Sequence, residues 1–159
     1  MTDTATTIPA DPVMFRRSFA GLPECVADAR EFLADCLAGT AWPIDEVVLA
    51  ADELVTNAVR HSRSGGPGGK FDVRLRIKPA CMVQVEICDQ GPLPSPTAAA
   101  PEYRCEGGLG LPIVKALSDE DGEYTDRLTG FHITWFRILQ RPAAAAAQGA
   151  CTPEGQTTS

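Results

Sequence analysis

The sequence predicts an α+β fold: a two-layer sandwich with helices on one face of a mixed, mostly antiparallel sheet. Three observations carry that expectation. Two segments repeat their apolar residues at a helical period, one through Val26, Ala29, Phe32, Leu33, Cys36 and Leu37, the other through Val47, Val48, Ala51, Leu54, Val55, Ala58 and Val59. A later segment alternates Phe71, Val73, Leu75 and Ile77 with Asp72, Arg74, Arg76 and Lys78, the period of a strand with one packed and one solvated face. The Lys78-Pro79-Ala80 turn then joins it to residues 82–88, a second strand placed to pair with the first.

The elements follow in order. Residues 1–12 are rich in Thr, Ala, Asp and Pro and are expected to lack fixed structure. Val13 to Phe19 contains a short strand. The first helix runs from Pro23 to Leu37 and stops at Gly39. Pro43 sits where a first helical turn tolerates proline, so the second helix runs from about Pro43 to His61. Gly65-Gly66-Pro67-Gly68-Gly69 breaks the chain and is expected to form a mobile link. Pro92 to Pro101 can be neither a central strand nor a long helix, and compact domains reserve loops of that length for lids or binding. Gly107-Gly108-Leu109-Gly110 reads as a glycine turn opening a helix over Leu111 to Leu117. Glu123 to Leu128 and Phe131 to Leu139 complete the strands. One ordered domain is therefore expected over 13–140, with 141–159 a disordered tail.

At 159 residues the chain has ample length for one packed core. A hydrophobic share of 44% and a charged share of 22% are ordinary for a soluble protein. The net charge of −7 argues against direct binding of nucleic acid, which normally calls for a basic surface. It leaves room for a small anionic ligand held by backbone amides and one cation. No apolar run approaches a membrane span and the start lacks a secretion signal, so the expected location is the cytoplasm, with no membrane association. Six cysteines occur without any Cys-x-x-Cys and beside two histidines, which favours free thiols over a metal site or disulfides. Cys25 and Cys36, three helical turns apart, fit a buried face.

The segment richest in chemistry is Ala50-Ala51-Asp52-Glu53-Leu54-Val55-Thr56-Asn57-Ala58-Val59-Arg60-His61-Ser62. Glu53, Asn57 and His61 stand at four-residue steps and share one stripe of the second helix. A polar stripe on a well-packed helix is costly unless its groups meet partners or ligands. Glutamate can take a proton, and an asparagine oxygen can ligate a hard cation. Taken alone the stripe also fits a solvated face, and His61 also fits a helix-terminal histidine near the last carbonyls. Val83-Gln84-Val85-Glu86-Ile87 runs into Asp89-Gln90-Gly91, a pair that by itself equally describes a strand-ending turn. Gly108 and Gly110 let a backbone approach phosphate at a helix N-terminus, or provide a hinge.

The order of these parts, a helix with Glu53 and Asn57, a strand ending in Asp89-x-Gly91, a loop, and Gly-x-Gly before a second helix, resembles the ATP-binding module shared by gyrase-type ATPases, Hsp90-type chaperones, sensor histidine kinases and MutL proteins. Within that superfamily, Glu53-Leu54-Val55-Thr56-Asn57-Ala58-Val59-Arg60-His61 is most similar to bacterial anti-sigma-factor serine kinases of partner-switching systems. The resemblance covers about Phe15 to Ile138. It implies ATP and magnesium as ligands, Glu53 as general base, Asn57 as magnesium ligand, and His61 toward the nucleotide pocket. It also implies Asp89 as acceptor for the adenine amino group, Gly91 passing close to the base, and Gly108 and Gly110 at the phosphates. A serine on an anti-anti-sigma protein is the implied substrate, a sigma factor the second partner, and a homodimer the implied assembly. Three positions depart from the family pattern. Leu93 stands where a second glycine often follows the aspartate, Glu106 where an arginine commonly precedes the lid glycines, and Ile133 where counting back from Trp135 places a threonine beside the adenine. Glu106 would add repulsion near a triphosphate. It keeps open a second function, a binding module for sigma or anti-anti-sigma proteins without kinase activity. A sensor-kinase catalytic domain is disfavoured, since no helix with a phosphoacceptor histidine precedes the module.

Overall fold

A computed structural model describes residues 11–93 and 110–140. The order is β1 (Val13–Ala20), α1 (Glu24–Leu37), α2 (Ile44–His61), a single 3-10 turn (Arg63–Gly65), β2 (Lys70–Lys78), β3 (Met82–Asp89), α3 (Gly110–Leu117), β4 (Glu120–Thr125) and β5 (His132–Leu139). The strands form one sheet in the order β1-β2-β3-β5-β4. Every pair is antiparallel, so the expected mixture resolves to a purely antiparallel sheet among the described residues. Hairpin connections link β2 to β3 and β4 to β5, and these force antiparallel neighbours.

Helices cover one face. The strand residues turned to them are Phe19, Phe71, Val73, Leu75, Ile77, Val83, Val85, Ile87, Phe136 and Ile138, all buried. From α1 come Ala29, Leu33 and Leu37, and from α2 Val47, Ala50, Ala51, Leu54, Val55 and Ala58. The helix α1 packs near β1 and α3 near β4, while α2 lies between them over β3 and β5. Cutting a fully buried ring such as Phe71 or Phe136 back to alanine costs about 3–5 kcal/mol. Gly39 ends α1 at φ +76°, the left-handed conformation that favours glycine.

The other face carries a polar ladder across the strands. Arg16 pairs with Asp72 at 2.5 Å, Arg74 faces Glu86 at 3.6 Å, and Arg137 reaches Gln84 and Glu120 at 2.7 and 2.6 Å. Asp72 is thus buried, where strand alternation alone placed it in solvent. Trp135 lies over Gly122, where an added Cβ would come within 2.9 Å of its ring.

Three expectations change. The strand expected over Glu123 to Leu128 is β4, Glu120–Thr125. It ends earlier because Asp126 accepts the Leu128 amide at 2.8 Å and opens a turn that closes at Gly130, φ +71°. The glycine-rich segment after α2 is a packed corner rather than a mobile link. The Gly21 amide donates to the Gly69 carbonyl at 2.9 Å, and a Cβ on Gly21, Gly65 or Gly69 would fall 1.6–2.1 Å from a backbone oxygen. Cys25 and Cys36 are half-buried at the margin of the core, while Cys81 is exposed and Cys88 buried; these four are free thiols. Cys105 and Cys151, like both expected tails except residues 11 and 12, lie outside the described residues.

Candidate functional site

Two elements build the site, the middle and end of α2 and the end of β3. On α2, Asp52 pairs with Arg30 of α1 at 2.7 Å, which fixes the flank that faces α1. Glu53 and, one turn later, Asn57 lie on the other flank, toward α3, and both are half-buried. Each four-residue step overshoots a full turn by about 40°. The stripe therefore winds toward the sheet as it approaches the C-terminal end of α2. His61, at that end, is exposed. Among the described residues Glu53, Asn57 and His61 make no side-chain hydrogen bond or ion pair. The last turn is closed instead by Ser62, whose hydroxyl donates to the Ala58 carbonyl at 2.6 Å.

Asp89 shares the helix-facing side of β3 with Val83, Val85 and Ile87 and is buried. Its Oδ1 accepts the Gly91 amide at 2.7 Å, so the strand-ending turn is real, and it occupies one oxygen only. Oδ2 faces the ring of His132, whose Nδ1 is 3.4 Å away. Gly91 has φ +86°, and a Cβ there would meet Arg63 Nη2 at 3.2 Å and the Gly130 carbonyl at 3.3 Å. The positive φ is what favours glycine here, and the neighbouring atoms leave a side chain only tight room.

A chain of polar contacts ties the two elements together. The Ser62 hydroxyl accepts the Ser64 amide at 3.0 Å, and the Ser64 hydroxyl accepts the Gln90 amide at 2.9 Å. The Arg63 amide donates to the Gly91 carbonyl at 2.9 Å, and Arg63 Nε donates to the Gln90 carbonyl at 3.0 Å. Ser64 is fully buried. Sequence reasoning missed Ser62, Arg63, Ser64 and His132; the Ser-Arg-Ser run directly after His61 was the available signal, but its burial depends on the distant Asp89 turn.

Other expected positions divide. Gly110 opens α3, which packs on α2 and places Val114 in the core. Leu93 is exposed. Gly108 and Glu106 lie outside the described residues. The position beside Asp89 on the last strand is corrected: Asp89 is in register with His132, while Ile133 pairs with Cys88 and points to the other face. Counting from an aromatic fails here because one residue of slip exchanges the faces of a strand.

Chemically, this end of the molecule offers a half-buried proton acceptor, a half-buried amide oxygen and a buried carboxylate. No cluster of three or more His, Cys, Asp or Glu side chains suited to a metal exists among the described residues. A divalent cation here would take the Asn57 oxygen from the protein and its other ligands from a bound anion and water. That donor set suits magnesium. A cleft of about 300 Å³ beside this end is lined by Arg63, Gln90, Thr129 and Phe131. A second, about 470 Å³, lies at the opposite end of α2 between Trp42, Glu46, Leu117 and Gln140 and holds none of these groups.

The histidine kinase-like ATPase domain matches this chain over residues 19–135. Among solved structures, the RsbU and RsbW domains of Rv1364c from Mycobacterium tuberculosis are similar with a TM-score of 0.59 and 20% identity. That likeness covers 85% of this chain and 34% of the other, so the present chain spans about a third of that structure, and at this identity it speaks for the fold. No curated protein matches.

Proposed function

Because the chain belongs to the histidine kinase-like ATPase family, we propose that it is a partner-switching regulator, an anti-sigma factor and ATP-dependent serine kinase acting on an anti-anti-sigma protein. The observation that carries the reading is the α2 stripe. Glu53 and Asn57 lie on its α3 side, and the Ser62–Ser64 contacts hold the end of the same helix against Asp89.

In this reading Asp89 Oδ2 accepts a hydrogen bond from the adenine amino group, and Gly91 lets the backbone pass the base. Asn57 supplies an amide oxygen to magnesium, and the phosphates are assigned to Gly108 and Gly110, with the start of α3 as the source of amide groups. Magnesium, when bound, neutralises charge on the phosphates. Glu53 takes the proton of the partner's serine hydroxyl as its oxygen bonds to the γ-phosphorus. The bond to the bridging oxygen breaks and ADP leaves. His61 stands at the mouth of the site. The acidic chain, net charge −7, suits a sigma factor with basic patches, and assembly as a homodimer in the cytoplasm completes the proposal. Glu106 favours a second reading, a binding module for the same partners without phosphoryl transfer.

Labelled ATP and a candidate anti-anti-sigma protein separate the two. Transfer to serine is expected from the native chain, and Glu53→Ala should lower it about 100-fold or more while nucleotide still binds. Asn57→Ala should lose magnesium-dependent binding itself. ATP should raise the melting temperature and GTP much less. Undiminished transfer by Glu53→Ala would sink the mechanism, and nucleotide binding without any transfer would leave the binding module.

A further inference from the structure

The turn between β4 and β5 is held from within and yet presents an apolar tip. The Asp126 amide donates to the Phe131 carbonyl at 2.8 Å, and the Gly130 amide to the Asp126 carbonyl at 2.7 Å. The Asp126 carboxylate accepts the Leu128 amide at 2.8 Å and the Thr129 hydroxyl, whose oxygen accepts the Phe131 amide at 3.2 Å. Leu128, at the tip, is 96% exposed, so its side chain adds nothing to the core. Turns favour Gly, Pro, Asn, Asp and Ser, and no bond in this one calls for leucine. One exposed apolar residue is ordinary, but Leu128 does not stand alone. Thr129 and Phe131, next along the turn, line the cleft of about 300 Å³ together with Arg63 and Gln90. The Gly130 carbonyl and Arg63 Nη2 both lie within 3.3 Å of where a Cβ on Gly91 would stand, so turn and cleft are continuous.

Cations and donors border this apolar surface. Arg63 Nε is committed to the Gln90 carbonyl at 3.0 Å, and the rest of the guanidinium has no carboxylate partner among the described residues. Arg127, beside Leu128, is exposed and has none among them either. Gln90 Oε1 takes the Lys70 amide at 3.2 Å, which leaves its NH2 group to donate. The carboxylate of the turn, Asp126, is already occupied by the Leu128 amide and the Thr129 hydroxyl. This corner is therefore apolar and basic in a chain with 21 acidic and 14 basic residues.

We infer that the Leu128 turn and the Arg63 cleft form a docking surface for the anti-anti-sigma protein, through a segment of it that presents carboxylates around an apolar side chain. The choice of partner rests on the partner-switching reading: a sigma factor with basic patches suits the acidic remainder of the chain and is repelled by Arg63 and Arg127. The turn is ordered before binding, so little conformational entropy is lost there. Burial of Leu128 removes apolar area from water, and each guanidinium can meet a carboxylate with two fixed bonds. Elsewhere an acidic partner meets a chain of net charge −7, and that repulsion fixes where and how it docks. The surface is apart from the chemistry. Glu53 and Asn57 lie within α2, while Arg63 follows its C-terminal end, so docking holds the partner without engaging the reacting atoms.

The test is calorimetric titration of the full chain with the candidate anti-anti-sigma protein, beside separate titrations with magnesium–ADP and with the candidate sigma factor. Leu128→Asp and Arg127→Glu should each raise the Kd for the anti-anti-sigma protein about tenfold or more, the scale of losing one buried anchor. Leu128→Met, which keeps the apolar side chain, should bind it as the native chain does. Neither exposed side chain supports the core, so magnesium–ADP affinity and melting temperature should be the same in all four proteins. The sigma factor should bind the two acidic variants no more weakly than the native chain. Native affinity for the anti-anti-sigma protein in both Leu128→Asp and Arg127→Glu would overturn this inference and leave the proposed function standing. Loss of the sigma factor alone from those variants would overturn the choice of partner. A native chain that binds neither magnesium–ADP nor the anti-anti-sigma protein would overturn the proposed function and this inference with it.

Discussion

The two ends of the α2 face are built in opposite ways. At the Asp89 end, Ser62, Ser64, Arg63, Gln90 and Asp89 all have partners supplied by the fold. Halfway along the helix, Glu53 and Asn57 are half-buried with no side-chain partner among the described residues. A buried polar group that the chain itself satisfies helps to specify one structure. A group left for a ligand contributes little to folding and is kept for what it binds. The comparison therefore predicts that substitutions at the Asp89 end act on stability as well as on binding, and those at the Glu53 end on function alone.

The largest effect belongs to the packed corner. A Cβ on Gly21 would lie 1.6 Å from the Ser64 carbonyl oxygen, and one on Gly69 2.1 Å from the same atom. These are backbone contacts and cannot yield by rotating a side chain. Gly21→Ala is expected to cost more than about 3 kcal/mol, among the severe values for single substitutions, or to prevent folding. Urea unfolding measures it, and a loss under 1 kcal/mol would show that the corner is not rigid. Ser64→Ala removes the hydroxyl that accepts the half-buried Gln90 amide and should cost about 1 kcal/mol, with weaker nucleotide binding through the displaced Asp89 turn.

Much of this was legible in the chain. Periodicity located α1, α2, the faces of β2 and β3 and the Asp89–Gly91 turn, because each depends on neighbours a few residues away. The rest depends on distant partners. The face of β5 turns on its register with β3, so Ile133 seemed to border Asp89 when His132 does. A glycine run signals either freedom or close approach, and only the position of Gly21 and Ser64 decides between them. Asp72 looked solvated until β1 supplied Arg16 and Ser18. The glycine turn through Gly108, the lid expected before it and the Glu106 departure fall outside the described residues, so the phosphate side rests on sequence alone.

Asp72, on the opposite face of the sheet, gives the control for that split. Burial pushes its carboxyl up, but hydrogen bonds from Ser18 and Arg16 and the charges of Arg16 and Arg74 outweigh burial and hold it below the usual 3.8. A carboxyl with a depressed native value stabilises the fold fully above its unfolded value and loses that contribution as pH falls through the native one. Asp72→Asn should cost about 1–2 kcal/mol at pH 7, and the gap between variant and native protein should close as the solution is acidified below about pH 4. Nucleotide affinity should not change. A gap that persists unchanged at pH 2 would mean that packing, not charge, makes the contribution.

The smallest effect is the most informative. Glu53→Ala and Asn57→Ala each remove a half-buried polar side chain that holds nothing in the protein among the described residues. Both sit on a helix that already carries its core face through Val47, Ala50, Ala51, Leu54, Val55 and Ala58, and alanine has the highest helix propensity. The stability change without nucleotide should therefore stay within about 0.5 kcal/mol, and a slight gain is the expected sign, because removing a poorly solvated carboxylate or amide relieves part of its desolvation. Urea unfolding of both variants beside the native protein reads this directly. A loss of 2 kcal/mol from either would show that the Glu53 end is as tightly held by the protein as the Asp89 end, and the functional split along α2 would then have no physical basis.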